Sequence, residues 1–205
     1  KEVEQLLANH PKRDKLKMIY LETPANPTLT LVDIEMVRKL RDRLAPNAVI
    51  AVDNTYMGPL FQQPLAHGAD INLYSATKYI GGHSDIIAGA ASGSEKLMKL
   101  VKQKRAILGN TASPFTSWLL SRSMETIGLR MEKQASNAHK LAEYLAAHPK
   151  VKATYYLGLM PESDPQYALF KRQNNSGGAM IAFEVHGGEA EAFRFLNALE
   201  LAHLA

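Results

Sequence analysis

The residues whose types and spacing suggest chemistry are a lysine, the two hydroxyl residues that precede it, and an acid upstream. In Ser75-Ala76-Thr77-Lys78 the two hydroxyls are two positions apart, and Asp53 ends an earlier apolar run. Side chains alternate along an extended chain, so both hydroxyls point to one side and the amine follows nearby. Two neutral donors and a cation suit a phosphorylated aldehyde, and a carboxylate keeps a pyridinium nitrogen protonated. These residues predict a pyridoxal 5'-phosphate (PLP) site with Lys78 as its Schiff-base lysine.

Each of these residues has a simpler interpretation when it is taken alone. A lysine after Ser or Thr is most often a solvated loop residue. An Asp at the end of a strand often serves only a turn or a cap. His83 precedes Ser84-Asp85, but it lies in a glycine-rich loop, where we interpret it as structural. The joint pattern around Lys78 and Asp53 favours the cofactor site.

Composition excludes several other classes of function. The 205 residues, 46% of them hydrophobic, can bury a sizeable core in one or two domains. No apolar run approaches the roughly 20 residues of a membrane span, and no signal segment is visible, so we expect a cytoplasmic protein without a membrane partner. The seven histidines are scattered, which predicts no metal site. One basic cluster has the spacing of a solvated helix face, so we predict no nucleic-acid partner; its members are Lys99, Lys102, Lys104 and Arg105.

Apolar runs alternate with helical patterns in the first half of the chain. We predict strands at 15–21, 48–52, 71–74 and 86–91 and an amphipathic helix at 32–44. This alternation indicates an α/β layered sheet. Ligands of such sheets bind outside the carboxyl ends of the strands. The candidate motifs at 22–26, at Asp53 and at 75–78 each follow a predicted strand, so we expect them to meet at one site.

The pattern changes after Gly93. We predict helices at 94–107, 114–125 and 129–147, strands at 151–156 and 179–185, and a last helix at 189–201. Trp118 and Met124 have helical spacing and are expected in the core. We place a domain boundary inside the long helix, which divides the chain into 1–137 and 138–205.

The chain resembles a known family, the Cys/Met-metabolism PLP enzymes, which include cystathionine gamma-synthase, cystathionine gamma-lyase, methionine gamma-lyase and O-acetylhomoserine sulfhydrylase. The segments that support this resemblance lie in the order and spacing of that family. They are Leu21-Glu22-Thr23-Pro24-Ala25-Asn26-Pro27-Thr28, Val52-Asp53-Asn54-Thr55, His67-Gly68-Ala69-Asp70 and Ser75-Ala76-Thr77-Lys78-Tyr79-Ile80-Gly81-Gly82-His83-Ser84-Asp85. The resemblance implies the fold of PLP-dependent transferases (fold type I). We therefore expect a mostly parallel sheet with flanking helices, followed by the start of a smaller α+β C-terminal domain.

The resemblance also implies roles for individual residues. Lys78 corresponds to the lysine that binds the cofactor and shuttles protons, and Asp53 to the partner of the pyridinium nitrogen. Ser75 and Thr77 correspond to phosphate donors, and Asn26 to the amide that contacts the ring hydroxyl. The implied reaction is elimination or replacement at Cβ or Cγ of a sulfur amino acid or an O-acylated homoserine. The implied assembly is a homotetramer, built as a dimer of dimers.

Other interpretations stay open at this point. Members of the family are about twice as long, and the chain resembles their central part, which lacks the phosphate loop and the substrate-carboxylate arginine. Another fold-type I enzyme, such as an aminotransferase or a cysteine desulfurase, would share the Asp53 and Lys78 roles. A catalytically silent fragment that serves oligomerisation or regulation is the third possibility. The absence of cysteine weighs against a methionine gamma-lyase, because many of those enzymes use an active-site thiol.

Overall fold

A four-stranded sheet forms the centre of the first half of the chain. The computed structural model describes residues 2–202. Neighbouring strands follow chain order, with the first three parallel and the fourth antiparallel to the third; they are β1 (Met18–Glu22), β2 (Val49–Asp53), β3 (Ile71–Ser75) and β4 (Gly89–Gly93). The predicted α/β, mostly parallel sheet is therefore confirmed.

Helices flank this sheet and continue beyond it. In chain order they are α1 (Glu2–Asn9), α2 (Ile34–Leu44), α3 (Gly58–Phe61), α4 (Glu95–Leu108), α5 (Pro114–Met124), α6 (Ile127–Ala147), α7 (Tyr167–Gln173) and α8 (Glu189–Asn197). A second, two-stranded antiparallel sheet of β5 (Val151–Tyr155) and β6 (Ala182–Val185) follows α6. Antiparallel strands between helices agree with the predicted α+β character of this part. The α6 helix runs without a break through the domain boundary that we predicted at residue 137, and that boundary stays a prediction.

The burial of β2 is that of an inner strand of the sheet. Ile50, Ala51 and Val52 have no exposed surface, as expected for a parallel strand that is covered on both faces. Ile34 and Val37 of α2 pack against Ile50 and Val52 in one apolar cluster. The apolar run of the sequence is thus buried between the two neighbouring strands and the α2 helix.

The first turn of α2 receives two caps. The Asp33 side chain accepts a hydrogen bond from the Met36 N–H at 3.0 Å, as an N-cap residue does. The Ile34 N–H is satisfied by Gln173 Oε1 of α7, at 3.1 Å. Partial burial by itself would raise the pKa of Asp33, but the Met36 N–H and the Arg172 guanidinium hold this pKa below its ordinary value. The start of α2 therefore depends on the second half of the chain.

A buried ion pair connects α2 to the sheet. Arg41 is 6% exposed, and its Nη1 lies 2.9 Å from Asp70 Oδ2. The same Asp70 oxygen accepts the Ile50 N–H at 2.8 Å. The carboxylate thus binds a helix side chain and a strand amide at once, which fixes α2 against β2.

Several sequence predictions need correction. The segment 15–17 is not part of β1, because Arg13–Lys15 forms a 3₁₀ turn. Helix α7 was not predicted. Trp118 and Met124 are 56% and 54% exposed, so their expected core position is wrong. Helical spacing locates an apolar stripe, but the elements that pack on it decide whether it is buried. Trp118 is contacted by Phe115 and Arg122 of its own helix, which leave more than half of it exposed. No described helix combines the length and the apolar character that a membrane span requires.

Candidate functional site

The carboxyl ends of three neighbouring strands lie side by side. Glu22, the last residue of β1, pairs with Asp53, the last residue of β2, and Asp53 pairs with Leu73 of β3. Ser75 ends β3 two residues later. This is the edge at which open α/β sheets bind ligands. The strand order therefore brings the three predicted motifs to one edge.

The Asp53 carboxylate is half-buried and held on both oxygens. Its Oδ1 accepts the Thr55 N–H at 3.0 Å, and its Oδ2 accepts the Tyr20 hydroxyl at 3.0 Å. The pKa of Tyr20 is raised, first by partial burial and then by the Asp53 carboxylate. Two fixed donors orient this carboxylate, which is what a permanent partner for a ring nitrogen requires.

Lys78 lies in a tight turn after β3. Its N–H donates to the Ser75 carbonyl oxygen at 3.0 Å, and its own carbonyl oxygen accepts the Gly82 N–H at 2.7 Å. The side chain is exposed to a cavity of about 1040 Å³. Within residues 2–202 its amine has no hydrogen-bond or ion-pair partner. The backbone of Lys78 is therefore fixed while its amine is available to a ligand.

The five predicted site residues are divided between two openings at this edge. Asn26 and Thr77 line the cavity that contains Lys78, whereas Asp53 and Ser75 line a second cavity of about 950 Å³. Thr55 connects the two, because it lines the first cavity and is bonded to both residues of the second. Its N–H donates to Asp53, and its Oγ1 accepts the Ser75 N–H at 2.8 Å.

Two further side chains of the predicted motifs, besides Asp53, already have internal partners. The Thr77 hydroxyl accepts the Ala88 N–H at 3.0 Å and donates to the Ala88 carbonyl oxygen at 3.3 Å, which fixes it beside the chain that leads into β4. The Glu22 carboxylate accepts the Asn26 N–H at 3.3 Å, so it orders the loop that contains Asn26.

Sequence reasoning missed Tyr20, Thr55 and Tyr79. Tyr20 is two positions before Glu22 on the same strand, and this spacing puts both side chains on one face. Thr55 follows the Asp53 motif directly. Burial raises the pKa of Tyr79 to about 12. Strand periodicity could have identified Tyr20, whereas the burial of Tyr79 depends on residues distant in sequence, such as Met131.

The donor set at this edge fits PLP. Among the described residues, the side chains of Asn26, Ser75 and Lys78 make no hydrogen bond, so a molecule that reaches from the Lys78 cavity to Ser75 can bind all three. An amide, a hydroxyl and a primary amine match a ring hydroxyl, a phosphate and an aldehyde. The oriented Asp53 carboxylate supplies the negative charge that a pyridinium nitrogen needs.

The fold and this edge define an α/β protein with a lysine and a fixed carboxylate at neighbouring strand ends. A family model described as Cys/Met metabolism PLP-dependent enzyme matches residues 2–205. The chain belongs to this family, which confirms the resemblance inferred from its motifs.

Curated relatives include lyases and synthases. An L-methionine gamma-lyase of Treponema denticola is 44% identical over 191 residues, which cover 92% of this chain and 47% of that protein. Cystathionine gamma-synthase 1, chloroplastic, of Arabidopsis thaliana is 40% identical over 191 residues, which cover 93% of this chain and 33% of that protein. The chain thus spans between one third and one half of the length of these relatives.

Solved structures show the same architecture. Cystathionine gamma-lyase from Lactobacillus plantarum, complexed with L-serine, matches with a TM-score of 0.88 at 36% identity and covers 99% of this chain and 52% of that chain. Cystathionine gamma synthase from Xanthomonas oryzae pv. oryzae, in complex with aminoacrylate and cysteine, gives a TM-score of 0.85 at 38% identity, with 92% and 48% covered. These matches confirm the predicted fold type.

Proposed function

We propose that this chain belongs to an enzyme that uses PLP for elimination or replacement at Cβ or Cγ of a sulfur amino acid or an O-acylated homoserine. The observation that best supports the proposal lies at neighbouring strand ends: two donors hold the Asp53 carboxylate, and the Lys78 amine has no partner among the described residues. The substrate class is supported by relatives that are named as gamma-lyases and gamma-synthases. Because both kinds are among the relatives, the proposal covers both reaction types.

Each side chain has a distinct role in this proposal. When bound, PLP supplies a carbonyl that condenses with amines and a ring that accepts electrons. Lys78 would bind the carbonyl and, once the substrate amine displaces it, take the proton from the substrate Cα. Asp53 would hold the proton on the ring nitrogen. Ser75 would donate its hydroxyl to the phosphate, and Thr77 would do so by turning its hydroxyl hydrogen away from the Ala88 carbonyl oxygen. Asn26 would contact the ring hydroxyl.

Replacement of Lys78 tests the proposal directly. The full-length protein with PLP should absorb near the edge of the visible range, and Lys78→Ala should remove this band because no amine is left to bind the carbonyl. Borohydride reduction followed by mass spectrometry should place the cofactor on Lys78. Lys99→Ala is the matched control, since Lys99 is an exposed lysine of α4. A band that persists in Lys78→Ala would remove Lys78 from this role.

Product analysis separates the proposed reaction from those of other fold-type I enzymes. Elimination releases ammonia and a 2-oxo acid from one amino acid without an amino acceptor. An aminotransferase needs a second oxo acid, and a cysteine desulfurase leaves alanine. Either of the latter outcomes would contradict the proposed reaction.

The proposed assembly is a homotetramer made of two dimers, as the family resemblance implies. Light scattering of the purified full-length protein should give four times the mass of one subunit. A monomeric mass at micromolar concentration, together with full activity, would contradict this assembly.

A second candidate function applies to the 205-residue chain by itself: it would be catalytically silent and would serve oligomerisation or regulation. It is supported by large exposed apolar side chains on α4 and α5, among them Ile107, Phe115 and Trp118. It is also supported by the position of β1 and β4 at the two edges of the described sheet. Titration of the isolated chain with PLP tests this candidate: the absence of a saturable absorption band supports it, whereas a saturable band together with turnover of an amino acid contradicts it.

A further inference from the structure

One side chain of α6 binds the loop that follows Lys78. Arg130 Nη1 donates to the Tyr79 carbonyl oxygen at 2.9 Å, and Nη2 reaches the Ile80 carbonyl oxygen at 3.5 Å. We propose that Arg130 is a positioning residue for Lys78, and that Gly82 serves this role as a glycine for two reasons: its φ angle of +73° disfavours a side chain, and a side chain there would displace the guanidinium group. This inference rests on the proposed role of Lys78 as the cofactor-binding amine.

The turn at Lys78 has a defined geometry that Arg130 completes. The turn is closed by the hydrogen bond from the Gly82 N–H to the Lys78 carbonyl oxygen, at 2.7 Å. The carbonyl groups of Tyr79 and Ile80 lie inside this turn and have no other hydrogen bond among residues 2–202. Without Arg130 these two groups would lack a protein partner, and the turn would lose its connection to α6. The direction of the Lys78 side chain depends on this turn, because no residue in the described part of the chain holds its amine.

Arg130 is itself anchored at the corner between α5 and α6. Its Nη2 donates to the Ser123 carbonyl oxygen at 2.7 Å, and its Nε donates to Thr126 Oγ1 at 3.1 Å. In the described part of the chain no carboxylate pairs with this guanidinium, so all its partners are neutral oxygens. A planar group with five donors can serve oxygens on two sides at once, which a lysine ammonium cannot reproduce.

Gly82 lies directly against the guanidinium group. A Cβ atom added at this position would be 1.8 Å from Arg130 Nη1 and 2.5 Å from Cζ, and the φ angle there is +73°. Both distances are far inside van der Waals contact, so any side chain at position 82 must displace Arg130. The two residues therefore form one structural unit.

A purely structural role for Arg130 predicts different behaviour. Its neighbour Met131 is fully buried and packs in a cluster with Tyr79, so changes at this corner also affect folding. A structural role alone would lower the unfolding temperature and leave the bound cofactor unchanged in protein that is still folded. A positioning role changes the environment of the amine in folded protein.

The experiment compares Arg130→Ala, Arg130→Lys, Gly82→Ala and the double variant in the full-length protein. The rate at which PLP binds covalently to the apoenzyme is followed by absorbance, and visible circular dichroism reports the geometry of bound PLP, at a temperature at which each variant is folded. We expect Arg130→Ala to slow this step on the order of 100-fold, the cost of a misplacement of about 1 Å, and to weaken the dichroic band. Arg122→Ala is the control, because Arg122 is exposed on α5.

Three further results complete the test. Arg130→Lys should fail to restore the rate, and Gly82→Ala should reproduce the loss. The double variant should be no slower than Gly82→Ala, because residues in contact do not act independently. A wild-type rate in Arg130→Ala, full rescue by lysine, or losses that multiply in the double variant would overturn the inference. If Arg130→Ala does not fold, the lysine and Gly82 variants decide. Failure of the proposed function can be told apart from failure of this inference, because the absorption band of bound PLP would then persist in Lys78→Ala.

Discussion

Replacement of Gln173 by leucine should destabilise the protein more than any exposed change on the same helix. Gln173 is 3% exposed, and its Oε1 accepts the Ile34 N–H at 3.1 Å. Its Nε2 donates to the Val32 carbonyl oxygen at 3.1 Å and to Gln62 Oε1 at 2.8 Å. Leucine has a similar volume but provides none of these three bonds. The variant therefore isolates the hydrogen bonds from the packing.

The magnitude follows from the burial of the groups that lose their partner. Ile34 and Gln62 are essentially unexposed, so water cannot replace Gln173. Each buried unpaired group costs about 1–3 kcal/mol, and the two together about 2–6 kcal/mol. This is a large fraction of the roughly 5–15 kcal/mol by which a typical domain is stable. Urea unfolding of the full-length protein, followed by circular dichroism, measures the change.

Two control variants make the result specific. Lys171→Ala changes an exposed residue of the same helix and should shift the free energy of unfolding by less than about 0.5 kcal/mol. Gln173→Glu keeps an acceptor for Ile34 but cannot donate to Val32 or Gln62, so it should not restore stability. If Gln173→Leu were as stable as the wild type, the buried amide contacts would not stabilise this fold.

The remaining predictions concern charge and catalysis. Asp70→Ala removes one of the two carboxylates paired with the buried Arg41 guanidinium, leaving Asp42, and it also removes the acceptor of the Ile50 N–H. It should lower the free energy of unfolding by about 1–3 kcal/mol, measured by urea unfolding. The lowered pKa of Asp33 means that its contribution is present above its unfolded value of 3.8 and is lost as pH falls below it. The stability difference between wild type and Asp33→Asn should therefore shrink in acid, and a difference independent of pH would contradict the argument. Asp53→Ala should bind PLP but scarcely turn over in a steady-state assay; full activity would refute its role at the ring nitrogen.

The sequence predicted the order and type of most elements but not their ends. The apolar run that suggested a strand at 86–91 corresponds to a strand at Gly89–Gly93, which consists of glycine, alanine and serine. These small residues have little strand preference of their own. Their conformation follows from antiparallel pairing with β3, in which Ile71 lies opposite Gly93. Helix α7 was missed for a related reason, because it is short and is stabilised by contacts of Gln166 and Gln173 with distant backbone.

The candidate site was also predicted only in part from the sequence. Asn26, Asp53, Ser75, Thr77 and Lys78 were predicted as a group, and the parallel order of β1, β2 and β3 places them at one edge. Their division between two cavities could not be predicted, since it depends on the loops that follow each strand.

The sequence by itself determined which side chains are available at this edge of the sheet, because residue types and their spacing along a strand decide which groups face one side. Only the tertiary structure decided which contacts hold those groups in place. Examples are the hydrogen bond from the Tyr20 hydroxyl to Asp53 and the hydrogen bond from Arg130 to the Tyr79 carbonyl oxygen in the turn after Lys78. Arg130 and Tyr79 are separated by 51 positions in sequence. Contacts of this kind leave no periodic pattern in the chain, since they depend on the distance between atoms after helices and strands have packed.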